Sequence, residues 1–292
     1  MWQHVVVPDV ITYNSAISAC DKASQYEQAL WLLEDMQQRR DSPNVITYTA
    51  AISACARGGQ YERVVWLLAD MRRSRLTPDA ITYTSAMSAI GAVRSGENGI
   101  PYARALNLIE DMLQNRVSPN VVTYTAAISA CEKGSWYEQA LWLMADMQRG
   151  AVEPNLISYT AAISACEKGH QYQQALWLME DMREHRMAPN VITYTVVLRA
   201  CEKGHQYERS LRLLAEMQQS GLVPNVISFN AVIGACLKRE QYDLVLALLE
   251  DMGRMRVPPN VISYNTAMKA SARSKRYDQA LLLMNNMRGN AV

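Results

Sequence analysis

The sequence predicts an all-α fold, an α-solenoid of stacked helix–turn–helix (αα-hairpin) repeats, on three observations. First, a Pro followed by Asn or Asp recurs at Pro8-Asp9, Pro43-Asn44, Pro78-Asp79, Pro119-Asn120, Pro154-Asn155, Pro189-Asn190, Pro224-Asn225 and Pro259-Asn260, at 35-residue intervals with one interval of 41. Second, all fifteen Tyr and the single Phe occupy two places in that period. One set is Tyr13, Tyr48, Tyr83, Tyr124, Tyr159, Tyr194, Phe229 and Tyr264; the other is Tyr26, Tyr61, Tyr102, Tyr137, Tyr172, Tyr207, Tyr242 and Tyr277. Third, apolar residues follow the 3–4 spacing of a helix face, and no segment alternates like a strand. A period of this length means repeats that each bury a face on the next, so the 292 residues form one quasi-linear array.

Residues 1–9 read as the tail of a preceding partial repeat. The array then runs over 10–44, 45–79, 80–120, 121–155, 156–190, 191–225, 226–260 and the incomplete 261–292. Within 121–155, the first helix is predicted after Asn120, a favoured N-cap, from Val121 to about Lys133, with Gly134 breaking it. Val121, Tyr124, Ile128 and Cys131 form its apolar face, and Ala127 and Ala130 widen it with small residues that let neighbouring helices approach closely. The second helix is predicted from about Trp136 to Gln148, with Tyr137, Ala140, Leu141, Met144 and Met147 inward. Gly150 and Pro154 then redirect the chain. The third repeat carries six extra residues in the Gly- and Pro-bearing segment Gly91 to Pro101, which reads as a loop insertion, either a tolerated surface change or a partner contact.

Bulk properties exclude several classes. With 49% apolar and 20% charged residues the chain can build an extended core, and a net charge of +1 means that any attraction to nucleic acid depends on how charge is arranged. The six Cys (Cys20, Cys55, Cys131, Cys166, Cys201, Cys236) share one repeat position without a CxxC and read as small buried hydrophobes in a reducing compartment. No run of about 18 apolar residues marks a membrane span. Met1 to Val7 is too short for a signal or transit segment, so no targeting segment is visible. Neither end carries the polar cap expected of a solenoid, which suggests a longer natural chain or disordered ends. The recurrent Met36, Met71, Met112, Met147, Met182, Met217, Met252 and Met287 read as core. Trp31, Trp66, Trp142 and Trp177 read as packing between repeats or as a protein-facing outer patch. His4, His170, His185 and His205 lack ligand spacing, and there is no phosphate loop, nucleophile constellation or deaminase signature. A non-enzyme with no cofactor, metal or small-molecule substrate is expected.

Segments such as Val121-Val122-Thr123-Tyr124-Thr125, continuing to Cys131-Glu132-Lys133-Gly134 and ending in Met147 and Pro154-Asn155, resemble pentatricopeptide repeats of the plain 35-residue class. The resemblance covers essentially the whole chain and differs from the 34-residue tetratricopeptide pattern. It implies a right-handed superhelical solenoid that binds single-stranded RNA in an organelle (mitochondrion or chloroplast), with other RNA-processing or ribosomal proteins as further partners. Two other roles stay open, a structural subunit of an RNA-rich assembly such as an organellar ribosome and a protein-binding scaffold.

The face of each first helix that the core does not claim carries three signals. One is an exposed-looking apolar residue, Ile11, Ile46, Ile81, Val122, Ile157, Ile192, Ile227 and Ile262. It fits a contact with the adjacent repeat; the resemblance implies that these side chains sandwich RNA bases. The second is a couple formed by the fifth and last residues of a repeat. The couples are Asn14/Asn44, Thr49/Asp79, Thr84/Asn120, Thr125/Asn155, Thr160/Asn190, Thr195/Asn225 and Asn230/Asn260, with Asn265 alone in the last repeat. The last residue is also an N-cap, whereas Thr and Asn are poor helix-interior residues, so the fifth position asks for a hydrogen-bonding role. Asn offers donor and acceptor and ionised Asp only accepts, which suits the imino N–H of guanine and uracil. The resemblance implies C or U for Asn/Asn, G for Thr/Asp and A for Thr/Asn, hence a target near 5′-YGAAAAYY-3′ read one base per repeat. The third signal is a cation ending the first helix, Lys22, Arg57, Lys133, Lys168, Lys203, Lys238 and Arg273, with Ala92 and nearby Arg94 in the third repeat. These complement the helix dipole or meet RNA phosphates. Acids gather on the second helix (Glu34-Asp35, Glu110-Asp111, Glu180-Asp181, Glu250-Asp251), so a basic column and an acidic shell are expected. Seven phosphate contacts would give a log–log salt slope of at most about −5.

Overall fold

The structure, a computed structural model, describes residues 8–91 and 100–289. The expected repeat tail before residue 8, the inserted stretch 92–99 with Ala92 and Arg94, and the last three residues lie outside the described residues. Sixteen α-helices and no strand occur among the described residues. The chain divides into two compact units, Met1–Pro154 and Asn155–Val292.

The first unit holds α1 (Val10–Lys22), α2 (Tyr26–Gln38), α3 (Val45–Arg57), α4 (Tyr61–Arg73), α5 (Ala80–Gly91), α6 (Ile100–Gln114), α7 (Val121–Gly134) and α8 (Tyr137–Arg149). The second holds α9 (Leu156–Lys168), α10 (Tyr172–Glu184), α11 (Val191–Lys203), α12 (Tyr207–Gln219), α13 (Val226–Lys238), α14 (Tyr242–Arg254), α15 (Val261–Arg273) and α16 (Tyr277–Gly289). Inside each unit, the first helices of successive repeats pack side by side, α1 on α3 on α5 on α7, and α9 on α11 on α13 on α15. Within each unit, each second helix packs on its own partner and, where a further repeat follows in that unit, on that repeat's first helix. The result is two layers per unit with the core between them.

Most of the predicted apolar faces fill that core, although Val121, Tyr137 and Leu141 are only half-buried. Tyr124, Ala127, Ile128, Ala130 and Cys131 are buried on α7, as are Ala140, Met144 and Met147 on α8, where Leu143 joins them. Burial raises the thiol pKa of Cys131 and Cys166 to about 12 and of Cys55, Cys201 and Cys236 to about 11, so these five stay neutral core residues, whereas Cys20 is only half-buried. Tyr at the first conserved place ties the two helices of its own hairpin. Its hydroxyl donates to an Asp on the second helix: Tyr13 to Asp35, Tyr48 to Asp70 at 2.7 Å, Tyr83 to Asp111 at 2.8 Å, Tyr124 to Asp146 at 2.8 Å and Tyr159 to Asp181 at 2.5 Å. Burial and the neighbouring carboxylate push the Tyr83 phenol up to about 12. Phe229 lacks the hydroxyl, and Asp251 pairs with Arg254 of its own helix at 2.9 Å.

Two boundary expectations need correction. Gly134 does not break α7, which includes it; Ser135 takes the left-handed conformation at φ 62°. Likewise Gly150 is a right-handed cap and Ala151 carries the positive φ of 53°. Helix α5 reaches Gly91 and α6 starts at Ile100, so both ends of the predicted Gly91–Pro101 loop are helical. The glycine after the first-helix cation serves another purpose. Gly204 has φ −80°, open to any residue, yet a Cβ there would lie 2.3 Å from the Tyr172 ring of the preceding repeat. At Gly58 a Cβ would lie 2.6 Å from Tyr26. The missing side chain lets an aromatic ring seat on a helix end.

Gly204→Ala therefore destabilises by about 1–3 kcal/mol through overpacking. Gly253→Ala, inside α14 with nothing within 4 Å of its Cβ, moves the other way by up to about 1 kcal/mol. Urea denaturation of both variants checks the opposite signs. Tyr159→Phe loses its hydrogen bond to Asp181 and about 1–2 kcal/mol, read in the same titration.

Candidate functional site

Each first helix opens with its N-terminal N–H groups unsatisfied, and the last residue of the preceding repeat closes them. The side-chain oxygen of Asn44 accepts from Thr47 N at 3.0 Å, Asn120 from Thr123 N at 3.0 Å and Asn155 from Ser158 N at 2.9 Å. Asn190, Asn225 and Asn260 cap Thr193, Ser228 and Ser263 in the same way. Asp79 accepts from both Thr82 N and Thr82 Oγ1 at 2.8 Å through one oxygen, Oδ1. At Asp9, the same pair of bonds from Thr12 holds the carboxyl below its usual range.

This geometry assigns the two ends of the last side chain. The cap claims the oxygen, because only an acceptor can face a backbone N–H. What remains is the Nδ2 amide of Asn, a pure donor, or Oδ2 of Asp79, a pure acceptor. The broader expectation that Asn offers both is narrowed here: at this position it offers N–H groups.

The fifth residue lies beside that cap, and a third hydroxyl joins them. Thr47, Thr82, Thr123, Ser158, Thr193, Ser228 and Ser263, the third residue of each repeat, are fully buried. In the first unit Thr47 Oγ1 donates to Asn14 Oδ1 at 2.5 Å, and Thr49 and Thr82 hydroxyls lie 2.7 Å apart. In the second unit Thr160 meets Thr193 at 3.1 Å, Thr195 meets Ser228 at 2.7 Å, and Ser263 donates to Asn230 Oδ1 at 2.6 Å. Where both members of a couple are Asn they also touch: Nδ2 of Asn230 donates to Asn260 Oδ1 at 3.1 Å, and that of Asn14 to Asn44 Oδ1 at 3.5 Å. Thr125/Asn155 has one member in each unit. Sequence reasoning missed the third residue, although its Thr/Ser alternation three places after each Asn is the spacing of a capping box.

The polar fifth residue thus has structural uses that the sequence reading did not foresee. Thr84, Thr125, Thr160 and Thr195 each donate to the carbonyl four residues back in their own helix, at 2.6–2.7 Å. Thr49, Thr84, Thr125, Thr160, Asn14 and Asn230 remain half-buried and Asn265 is exposed, so their surfaces stay accessible. Thr195 is the exception, buried at 7% exposure.

The apolar row is not a contact between repeats. Ile11, Ile46, Ile81, Val122, Ile157, Ile192, Ile227 and Ile262 are all 56–73% exposed, on the same helix face as the couples. Trp31, Trp66, Trp142 and Trp177 are 46–63% exposed on the second helices, so part of each ring faces solvent, and Trp66 borders a cleft with Leu30 and Glu34 of the preceding repeat.

The cations depart from a clean basic column, because acids on the first helices stand between them. Arg57 Nε lies 3.2 Å from Asp21, one repeat earlier. Lys203 lies 2.9 Å from Glu167 Oε1 and also donates to the Glu167 carbonyl. Lys238 repeats both contacts on Glu202, at 3.2 and 3.3 Å. Glu167, only 2% exposed, is met by Arg199 as well, at 3.2 Å. Lys22 and Arg273 are exposed, whereas Lys133 and Lys168 already have partners. Among the described residues no group of His, Cys, Asp or Glu is arranged to hold a metal, and no helix is long and apolar enough to cross a membrane.

Family models match along the chain. The PPR repeat family matches residues 8–57, 43–91 and 224–273, the pentatricopeptide repeat domain 101–133, 142–204 and 190–239, and the PPR repeat 122–150 and 262–292. Among curated proteins none matches. The chain is similar to the crystal structure of the pentatricopeptide repeat protein PPR10 from maize, at 26% identity and a TM-score of 0.71, covering 97% of this chain and 40% of that one. PPR10 in complex with an 18-nt psaJ RNA element is similar at 23% identity and a TM-score of 0.57, covering 98% and 44%. The PPR domain of Arabidopsis thaliana protein-only RNase P 1, in complex with tRNA, is similar in fold at 17% identity and a TM-score of 0.50, covering 57% and 86%. The chain spans less than half the length of the PPR10 chains it matches. The matched repeats and the hairpin stack together establish that the chain belongs to the pentatricopeptide repeat family.

Proposed function

We propose that the chain binds single-stranded RNA sequence-selectively, one base per repeat, and acts in organellar RNA processing, stability or translation. The observation that carries this reading is the division of labour in the last residue. Its oxygen is spent on the helix cap, leaving Nδ2 of Asn or Oδ2 of Asp79 beside the fifth residue. A donor-only group suits adenine and cytosine, whose ring nitrogens accept; an acceptor-only group suits guanine and uracil, whose ring nitrogens carry hydrogen. A short Thr beside it leaves room for a purine and a longer Asn reaches a pyrimidine. The couples then read Y-G-A-A-A-A-Y-Y, with C preferred over U at Asn14/Asn44 and Asn230/Asn260. The exposed Ile and Val row supplies flat apolar contacts for base faces. PPR10 with psaJ RNA and the RNase P 1 domain with tRNA are similar folds that bind RNA. A protein contact on the outer face is the second reading, favoured by the exposed Trp31, Trp66, Trp142 and Trp177.

Electrophoretic binding to YGAAAAYY RNA and to a scrambled oligonucleotide tests the central reading; equal affinity for both overturns it. Because ion pairs occupy part of the cation column, the salt slope is shallower than the value of about −5 for seven free contacts. Asn190→Asp keeps the cap and moves the fifth base from A to G, with stability held within about 0.5 kcal/mol. Asn190→Ala loses the cap and about 1 kcal/mol together with discrimination at that base. Thr49→Asn moves the second base from G towards U. Competition binding with single-base variants, beside thermal melts, separates these outcomes.

A further inference from the structure

In a chain whose repeats are nearly identical, departures that converge on one place are informative. Two do so in the second unit, beside an Arg that recurs elsewhere. Arg209 stands where Arg63 and Arg104 stand in two other repeats and Gln28, Gln139, Gln174 and Gln279 in four, whereas Arg212 stands where Trp31, Trp66, Trp142 and Trp177 stand. Arg239 replaces the glycine of Gly58, Gly134, Gly169 and Gly204. The first two come from α12 and the third from the end of α13, yet all three line one open cleft of about 620 Å³ with His205 and Gln241.

The cleft has a local cause. At Gly58 and Gly204 the glycine at this position admits the Tyr ring of the preceding repeat, and a Cβ at Gly204 would stand 2.3 Å from that ring. With Arg239 there, Tyr207 cannot seat in that way, and it borders the cleft. Three guanidinium groups face a single carboxylate, Glu208, which already accepts a hydrogen bond from Tyr207 at 3.2 Å. Arg239 spends one N–H on the His205 carbonyl at 3.1 Å, which anchors it across two repeats and leaves its terminal nitrogens available. Arg209 lies near the Tyr172 ring at 5.9 Å, a contact that orients it without neutralising it. Among the described residues no carboxylate pairs with Arg209 or Arg212, in contrast to Arg183 and Arg199 of the same unit. The helix α12 also begins at this cleft without a side-chain cap, so its first N–H groups add to the positive field.

We infer that this cleft binds a ligand carrying two or more phosphate groups, at a site separate from the base-reading couples. Convergent guanidiniums recognise phosphate oxygens through paired N–H donors, and the volume suits a nucleotide-sized group. The phosphates come either from a free oligophosphate or from a nucleic-acid backbone passing the turn edge of the sixth and seventh repeats.

The test returns the three positions to the residues found in sister repeats. The triple variant Arg209→Gln, Arg212→Trp and Arg239→Gly keeps the array's own vocabulary; a second variant, Arg209→Gln with Arg212→Gln, covers a failure of the first to fold. Calorimetric titration of the full chain uses inorganic tripolyphosphate in one arm and an abasic oligonucleotide, which offers backbone without bases, in the other. Wild-type binding that weakens at least tenfold in the variant supports the proposal, and the arm that binds identifies the source. Binding of neither probe, or equal binding by wild type and variant, overturns it. Discrimination of YGAAAAYY from scrambled RNA stays unchanged in the variants, so this test fails or succeeds independently of the base-reading proposal.

Discussion

The helix N-cap is the constraint on which the rest of the structure depends. A first helix cannot start without an acceptor for its third N–H, and Asn or Asp at the end of the preceding repeat supplies one. The bond also orients the side chain, since turning the amide over would aim N–H at N–H. On the proposed reading, stability and recognition therefore draw on opposite ends of one small group. The residue types allowed at this position are limited first by capping, which favours Asn, Asp, Ser and Thr, and only then by the ligand. Seven of the eight recurrent Pro-linked caps are followed by a fully buried Thr or Ser that closes the local network. Thr12, following the first cap, is exposed.

Repetition makes each such network a joint between neighbours. The buried Ser263 hydroxyl touches its own cap, Asn260, and the preceding repeat's Asn230. Stacking of one repeat on another therefore sets the spacing within a couple, and a slipped stack would separate the two groups as well as expose core. The Tyr–Asp bonds act one level lower, fixing the hairpin before it stacks. Phe229 shows that a hairpin survives without the bond, which assigns most of the stability to burial, with the hydrogen bond contributing a smaller share.

Hairpin positions, helix faces and buried Tyr, Met and Cys were legible in the sequence because one 35-residue pattern, repeated, separates periodic positions from accidental ones. The exposed face was legible for the same reason: Ile46 or Ile157 is apolar where the 3–4 spacing leaves no neighbour to cover it. Three things were not legible. The role of Gly204 depends on Tyr172, 32 residues away, and a local rule for helix ends assigns it to backbone conformation instead. The pairing of Lys203 with Glu167 and of Lys238 with Glu202 spans 36 residues, and charge counting along one helix cannot register it. The hydroxyl of Thr195 was equally opaque, since a helix wheel places it outward while packing buries it.

If the chain reads RNA as proposed, that ladder of ion pairs changes where discrimination comes from. A column of free cations attracts any polyanion, and its contribution is indifferent to sequence. Here Glu167 and Glu202 hold Lys203 and Lys238, so a phosphate must compete with a carboxylate already in place. Breaking the Glu167 pairs is costly because that carboxylate is buried and would be left uncompensated. Attraction to the backbone is thereby lowered in the second unit, while the couples and the apolar row beside them are untouched. Binding that leans less on backbone charge leans more on base edges and base faces, which raises the ratio of specific to non-specific affinity at a given salt concentration. On the proposed reading, the same acids that pair with neighbouring helices would also sharpen selectivity, at the expense of overall strength.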